Sequence, residues 1–220
     1  MGNFQLKRVT NRIYHLNFDK QVSLTSTFLR FQEYYESPKF KDKVFTLKEF
    51  KRWYSKGGKN PFRYYWDWEG FNLPSPMLEP FYDGEFDPLT KNEKLLLSAL
   101  KHLRGEKFCV VGTYGDLDYS VYEHEVAHGL WFTNDKYRQR ASEALKGVVG
   151  ANRKKLEEML RRSGYDSSVW EDEKHAYISA NPYYLKRIGI GGPDIAKVSN
   201  ELKFLYNLYL YIQNRRRTAA

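Results

Sequence analysis

The residues of this chain best placed by type and spacing to do chemistry lie in SVYEHEVAHGLWF (Ser120 to Phe132), where His124, Glu125 and His128 form the pattern HExxH. Histidines four apart on a helix project from one face, one turn apart. Both imidazoles can therefore reach one Zn2+ at about 2.0–2.1 Å. Glu125 lies beside the pair, where a carboxylate can take a proton from water polarised by a metal and pass it to a leaving group. The competing reading is a helix whose two histidines are structural or on the surface.

A catalytic zinc needs three protein ligands and one open position. No histidine follows in HGLWFTNDKYR, so the third ligand must come from farther along. The stretch SVWEDEKHAYISA offers Glu171, Glu173 and His175. Ser168 and Glu171 have the spacing of a capping box, which gives Glu171 a structural job. Glu173 lies deeper in the predicted helix, with small Ala176 almost a turn later to let this helix approach the first one closely. Glu173 is the favoured ligand, with Glu171 and His175 as the alternatives.

HEVAH followed by DEKHAY resembles the zincin metallopeptidases of the Glu-zincin type, in which a second helix supplies a glutamate from an E-x-x-(Ala/Ser) pattern. The resemblance covers roughly residues 107 to 180. It implies Zn2+ as cofactor, His124, His128 and Glu173 as ligands, Glu125 as general base, and a peptide or protein as substrate. It also implies that the strand KFCVVGT (Lys107 to Thr113) is an edge strand beside the cleft, able to pair with an extended peptide. Such a site uses a donor for the oxyanion. Tyr177, one turn after Glu173, is the candidate, with Tyr183, Tyr184 and His175 as rivals.

Several elements must hold these groups in place. Val126, Ala127, Leu130 and Trp131 make the HExxH helix apolar on its other faces and predict its burial. Asp118 and Ser120 are polar caps for its start, and Gly129 leaves room near the metal. Asn11 to Phe18 alternates like a strand. Ser23 to Ser37 carries Leu24, Phe28, Phe31 and Tyr35 at helical spacing, which favours core packing over a base-stacking surface. Thr46 with Glu49, and Thr90 with Glu93, predict capped helices over 46–58 and 90–105, the first ended by Gly57 and Gly58. Residues 60–89, rich in Pro, Gly and aromatics, read as a packed irregular wall. Further helices are expected over 134–147, 152–164 and 168–180. GIGGPD reads as a turn into a last long helix. The expected class is α+β: a helix-rich zincin-like domain with a small antiparallel or mixed sheet. Residues 1–106 form an N-terminal helical and aromatic region that packs on a metal-binding core of residues 107–220, as one compact unit.

Composition sets the outer bounds. The chain has 220 residues, of which 41% are hydrophobic and 17% aromatic, enough for a substantial core. Its net charge is +9, but residues 61–135 carry 6 basic and 13 acidic groups between two basic flanks. Such flanks can attract nucleic acid or an acidic partner, although a solvated surface is the commoner reason for them. One cysteine excludes an intrachain disulfide. No segment reads as a signal peptide or membrane span, and Leu6 argues against N-myristoylation. A soluble cytoplasmic protein with no membrane partner is the expectation. The alternative to a zinc hydrolase is a non-enzymatic nucleic-acid-binding or structural protein with a degenerate or structural metal site.

Overall fold

A four-stranded mixed sheet runs through the molecule in the order β1-β2-β4-β3 in the computed structural model, which describes residues 4–56, 62–116 and 118–218. β1 (Phe4–Arg8) and β2 (Ile13–Phe18) form an antiparallel hairpin. The Thr10 hydroxyl accepts the Arg12 and Ile13 amides at its turn. β4 (Cys109–Tyr114) runs parallel to β2, and β3 (Phe71–Pro74) pairs antiparallel with β4 as the far edge. The α+β class with a small mixed sheet is as the sequence predicts.

Both faces of this sheet are covered, so its inner strands are buried almost continuously. Tyr14, Leu16, Phe18, Phe71, Leu73 and Val110 face one core. Ile13, Cys109 and Val111 face the other. The first core is covered by α1 (Gln21–Glu36), α2 (Leu47–Lys56), the short α3 (Tyr64–Asp67) and α4 (Glu79–Tyr82), and α5 (Lys91–Leu100). The second is covered by α6 (Tyr119–Thr133), α7 (Asp135–Leu145), α8 (Gly150–Ser163), α9 (Trp170–Ala180), α10 (Pro182–Arg187) and α11 (Pro193–Thr218). The one strand from after residue 106, β4, is inserted between two from before it, β2 and β3. Gly112 lets α1 lie close against β4, since a Cβ there would come within 2.8 Å of Leu24 and Phe28.

Local chemistry explains most of these elements. Phe28 and Phe31 are fully buried, so the aromatic stripe of α1 is core. Arg30 in the same helix donates to both carboxylate oxygens of Glu93 and to the Phe86 carbonyl, which ties α1 to the start of α5. Removing one partner of such a buried pair costs about 3–5 kcal/mol. Both predicted capping boxes form: Thr46 with Glu49, and Thr90 with Glu93. The glycines expected to end α2 lie outside the described residues. Among the described residues, no helix is long and apolar enough to cross a membrane.

Three local expectations need correction. KFCVVGT is an interior strand, paired on both sides, and not the edge beside the cleft. The edge is β3, inside the segment read as irregular. Its four residues, FNLP, lie between Gly70 and Ser75 and are too few for a visible alternation. Gly129 does not open space at the metal centre. A Cβ on it would lie 3.1 Å from Ile13, so it brings α6 down onto β2.

Candidate metal centre

α6 supplies the first half of the site. Asp118 caps the helix, its carboxylate accepting the Ser120 and Val121 amides. Val126, Ala127 and Leu130 are fully buried against the sheet. That packing leaves His124, Glu125 and His128 facing α9 and a cleft of about 750 Å3. α9 supplies the second half, with fully buried Ala176 where the two helices pack.

Glu173 meets the histidine pair. One carboxylate oxygen lies 3.7 Å from His124 Nε2 and the other 3.5 Å from His128 Nε2, and the two Nε2 atoms are 3.2 Å apart. The ligand atoms of His124, His128 and Glu173 all fall within 4.8 Å of one another. Glu173 Oε2 is buried and has no hydrogen-bond partner. Two nitrogen lone pairs and a carboxylate converging on one point form a donor set suited to Zn2+.

The groups behind the histidines explain why their Nε2 atoms can be donors to a metal. His124 Nδ1 donates to Asn181 Oδ1 at 2.8 Å. His128 Nδ1 lies 2.8 Å from Asp172 Oδ1. The Asn181 partner on His124 Nδ1 fixes the tautomer that leaves its Nε2 free, and the Asp172 carboxylate beside His128 Nδ1, close but without the alignment of a hydrogen bond, raises the basicity of that ring. Burial alone disfavours a charged His128. The Asp172 and Glu173 carboxylates outweigh it and push the His128 pKa well up. Burial likewise opposes ionisation of Asp172, yet the imidazoles of His128 and His175 hold its pKa down. These carboxylates stabilise one positive charge in the cluster, and a bound dication satisfies the same field in place of the proton.

Glu125 lines the same cleft beside the histidine pair. Burial raises its pKa, the two histidines oppose that rise, and the charge of Glu173 adds to it. Asn72 of β3 sits 3.5 Å from its carboxylate. Gly70 is where it is for the sake of this residue: a Cβ there would stand 2.5 Å from Glu125 Oε1 and 2.7 Å from Val121.

Two rivals for the third ligand are displaced. Glu171 is exposed. The capping box expected of it does not form, because Asp166 accepts from the amide and hydroxyl of Ser168 instead. His175 is fully buried on the far side of Asp172: its Nδ1 lies 3.3 Å from that carboxylate, its Nε2 bonds the Tyr137 hydroxyl at 2.7 Å, and its ring stacks on Trp131. Tyr177 does line the cleft, its ring edge-on to His124 at 4.7 Å between centroids. Burial and the Glu173 charge raise its pKa, so it stays a protonated donor. Tyr184 also lines the cleft, whereas Tyr183 is 89% exposed.

The sequence reading missed several residues. Asp172 and Asn181 orient the histidines, and Asn72 and Gly70 place Glu125. Glu36, at the end of α1, is a buried carboxyl in the cleft wall that accepts from Gln32. Burial and the charge of Glu173 push the Glu36 pKa well up, which keeps it protonated. Asp172 adjoins a proposed ligand, which is the one signal that pointed to any of them. Comparison with protein-family models, curated proteins and solved structures finds no match for this chain.

Proposed function

We propose that this protein is a zinc-dependent hydrolase acting on peptide bonds, with His124, His128 and Glu173 as the metal ligands and Glu125 as the general base. The observation that carries this reading is the convergence of Glu173 on the two Nε2 atoms, with a buried carboxylate beside them. Bound there, Zn2+ would supply Lewis acidity, making water nucleophilic at neutral pH and polarising a carbonyl. The chain's own residues do the rest. Glu125 takes the proton from the attacking water and returns it to the leaving amine, a role suited to a carboxylate whose pKa is raised by burial. Asn72 steadies Glu125, and Gly70 keeps the space its carboxylate occupies. Asn181 holds His124 in the ligating tautomer, and Asp172 raises the basicity of His128. Tyr177, kept protonated, donates to the oxygen on which negative charge develops.

Exposed Asp118 and Arg187 lie in the cleft lining, and the edge strand β3 contributes Phe71 and Asn72 to its wall. An extended chain suits that shape better than a compact small molecule. A single buried cysteine fits a reducing compartment, so cytoplasmic residence belongs to the same proposal.

The test is Glu125→Gln in zinc-loaded protein, assayed on a mixed peptide library by mass spectrometry. The variant keeps its zinc and loses hydrolysis by about 100-fold or more. A variant as active as the wild type, or a zinc-loaded wild type that cleaves nothing in the library, overturns the reading.

A further inference from the structure

His175 follows Glu173 closely in α9 but joins no ligand atom, and it is fully buried. Its ring stacks on Trp131 of α6, with centroids 4.9 Å apart. Its Nε2 meets the hydroxyl of Tyr137 of α7 at 2.7 Å, and that phenol is fully buried too. Its Nδ1 faces Asp172, 3.2 Å from the main-chain carbonyl and 3.3 Å from carboxylate Oδ1. The same Oδ1 lies 2.8 Å from His128 Nδ1. Tyr137, His175, Asp172 and His128 thus make one buried line of polar groups that ends at a proposed ligand. We propose that His175 and Tyr137 are positioning residues of the metal centre, acting through Asp172 on His128. The proposal rests on the three-ligand reading of that centre.

The directions of the hydrogen bonds follow from the partners. Both Asp172 oxygens beside Nδ1 can only accept, so Nδ1 carries the ring proton and donates it. The Tyr137 hydroxyl has Nε2 as its one hydrogen-bond partner among the described residues. A buried phenol needs an acceptor for its proton, so Tyr137 donates to Nε2. Each bond fixes the next. Tyr137 selects the Nδ1–H tautomer of His175, and that N–H holds Asp172 Oδ1 beside His128, where its charge strengthens the imidazole as a ligand. Packing keeps the donor still. Trp131 lies against the face of the His175 ring and Tyr137 meets it edge-on, while Tyr137 itself rests against Tyr209 of α11. An apolar ring would fill this space without the cost of burying two nitrogens and a hydroxyl. Here all three polar atoms are paired, and the pairing leads towards the ligands. Through it α7, which supplies no ligand, is joined to the centre.

The test reads metal binding and not turnover. Zn2+ affinity is measured by competition with a chromophoric chelator at one fixed pH, for the whole chain and three variants. The Co2+ absorption spectrum of each is recorded, with the melting temperature of each metal-free protein. His175→Phe keeps a ring against Trp131 and drops both nitrogens. It binds Zn2+ about 10- to 100-fold more weakly, and its Co2+ bands shift. His175→Asn places an amide N–H near the position of Nδ1 and recovers most of the affinity and the wild-type Co2+ bands, although it fills the space less well. Tyr137→Phe removes one hydroxyl and weakens binding in the same direction, so it carries the test if His175→Phe does not fold. A packing role alone gives the reverse order, with His175→Phe better than His175→Asn in metal-free melting temperature and in affinity. That order overturns the proposal, as does wild-type Zn2+ affinity in Tyr137→Phe or in a folded His175→Phe. A wild type that takes up no Zn2+ removes the three-ligand reading and this proposal with it, a result told apart from the others by the wild-type measurement alone.

Discussion

Asp172 and Asn181 lie against the Nδ1 atoms of the two histidines, behind the three proposed ligands. Imidazole is a metal ligand only when the coordinating nitrogen is deprotonated, and a partner on the other nitrogen decides which one that is. HExxH is visible in a sequence because it is a local spacing on one helix. The partners are not, because they come from a second helix and the turn after it. Glu173 was preferred over Glu171 on a capping argument that the structure does not support. Glu171 is set aside by its exposure, and Asp166 performs the cap. At this scale the sharpest test is Gly70→Ala. The added methyl would come within 2.5 Å of Glu125 Oε1 and 2.7 Å of Val121, so Glu125 has to move while the ligands stay. Hydrolysis falls about 10- to 100-fold, as for a displaced catalytic group, with zinc content unchanged by mass spectrometry.

α6 and α9 were both legible as helices: several turns of apolar periodicity mark both, and α6 adds a capped start. β3 was not, although it sets one wall of the cleft. Its identity as a strand comes from pairing with β4, a long-range contact that no window of four residues can encode. The sheet beneath α6 carries its own titratable reporter. His15 of β2 is buried, with Nε2 2.8 Å from Thr113 Oγ1 of β4. Burial, aided by the charge of Lys7, lowers its pKa to about 4 from an ordinary value of 6.5. Between those two values the unfolded chain binds the proton and the folded chain does not. The stability His15 confers is thus complete above pH 6.5 and is lost as pH falls towards 4, by about 3 kcal/mol. Urea unfolding of wild type and His15→Gln at pH 7, 5 and 4 measures this: the difference between the two proteins shrinks by that amount on acidification.

Across the whole molecule, the site depends on a sheet to which the N-terminal half contributes three of the four strands. From sequence, the aromatic first half reads as a region that packs on a metal-binding core, in one compact unit with it. In three dimensions it supplies Glu36, Trp68, Gly70 and Asn72 to the cleft. The class, the long helices and the HExxH–Glu173 pairing could be read from sequence. The layering around one sheet could not, since it depends on parallel pairing between residues about a hundred positions apart. A ligand that bridges α6 and α9 stabilises the folded state as a whole. Zn2+ at a thousand times its dissociation constant adds about 4 kcal/mol. In a chain of this size that raises the melting temperature by about 8–16 °C. Differential scanning calorimetry at fixed protein concentration, with zinc and then with excess chelator, checks the shift and its reversal.

The central claim is that His124, His128 and Glu173 form one three-ligand zinc centre. Zinc content of purified wild type and Glu173→Ala, after equilibration with Zn2+ and removal of free metal, tests it most directly. The account predicts one zinc per wild-type chain and a loss of most of it in Glu173→Ala. A wild type that holds no zinc, or a Glu173→Ala variant that holds as much as the wild type, contradicts it.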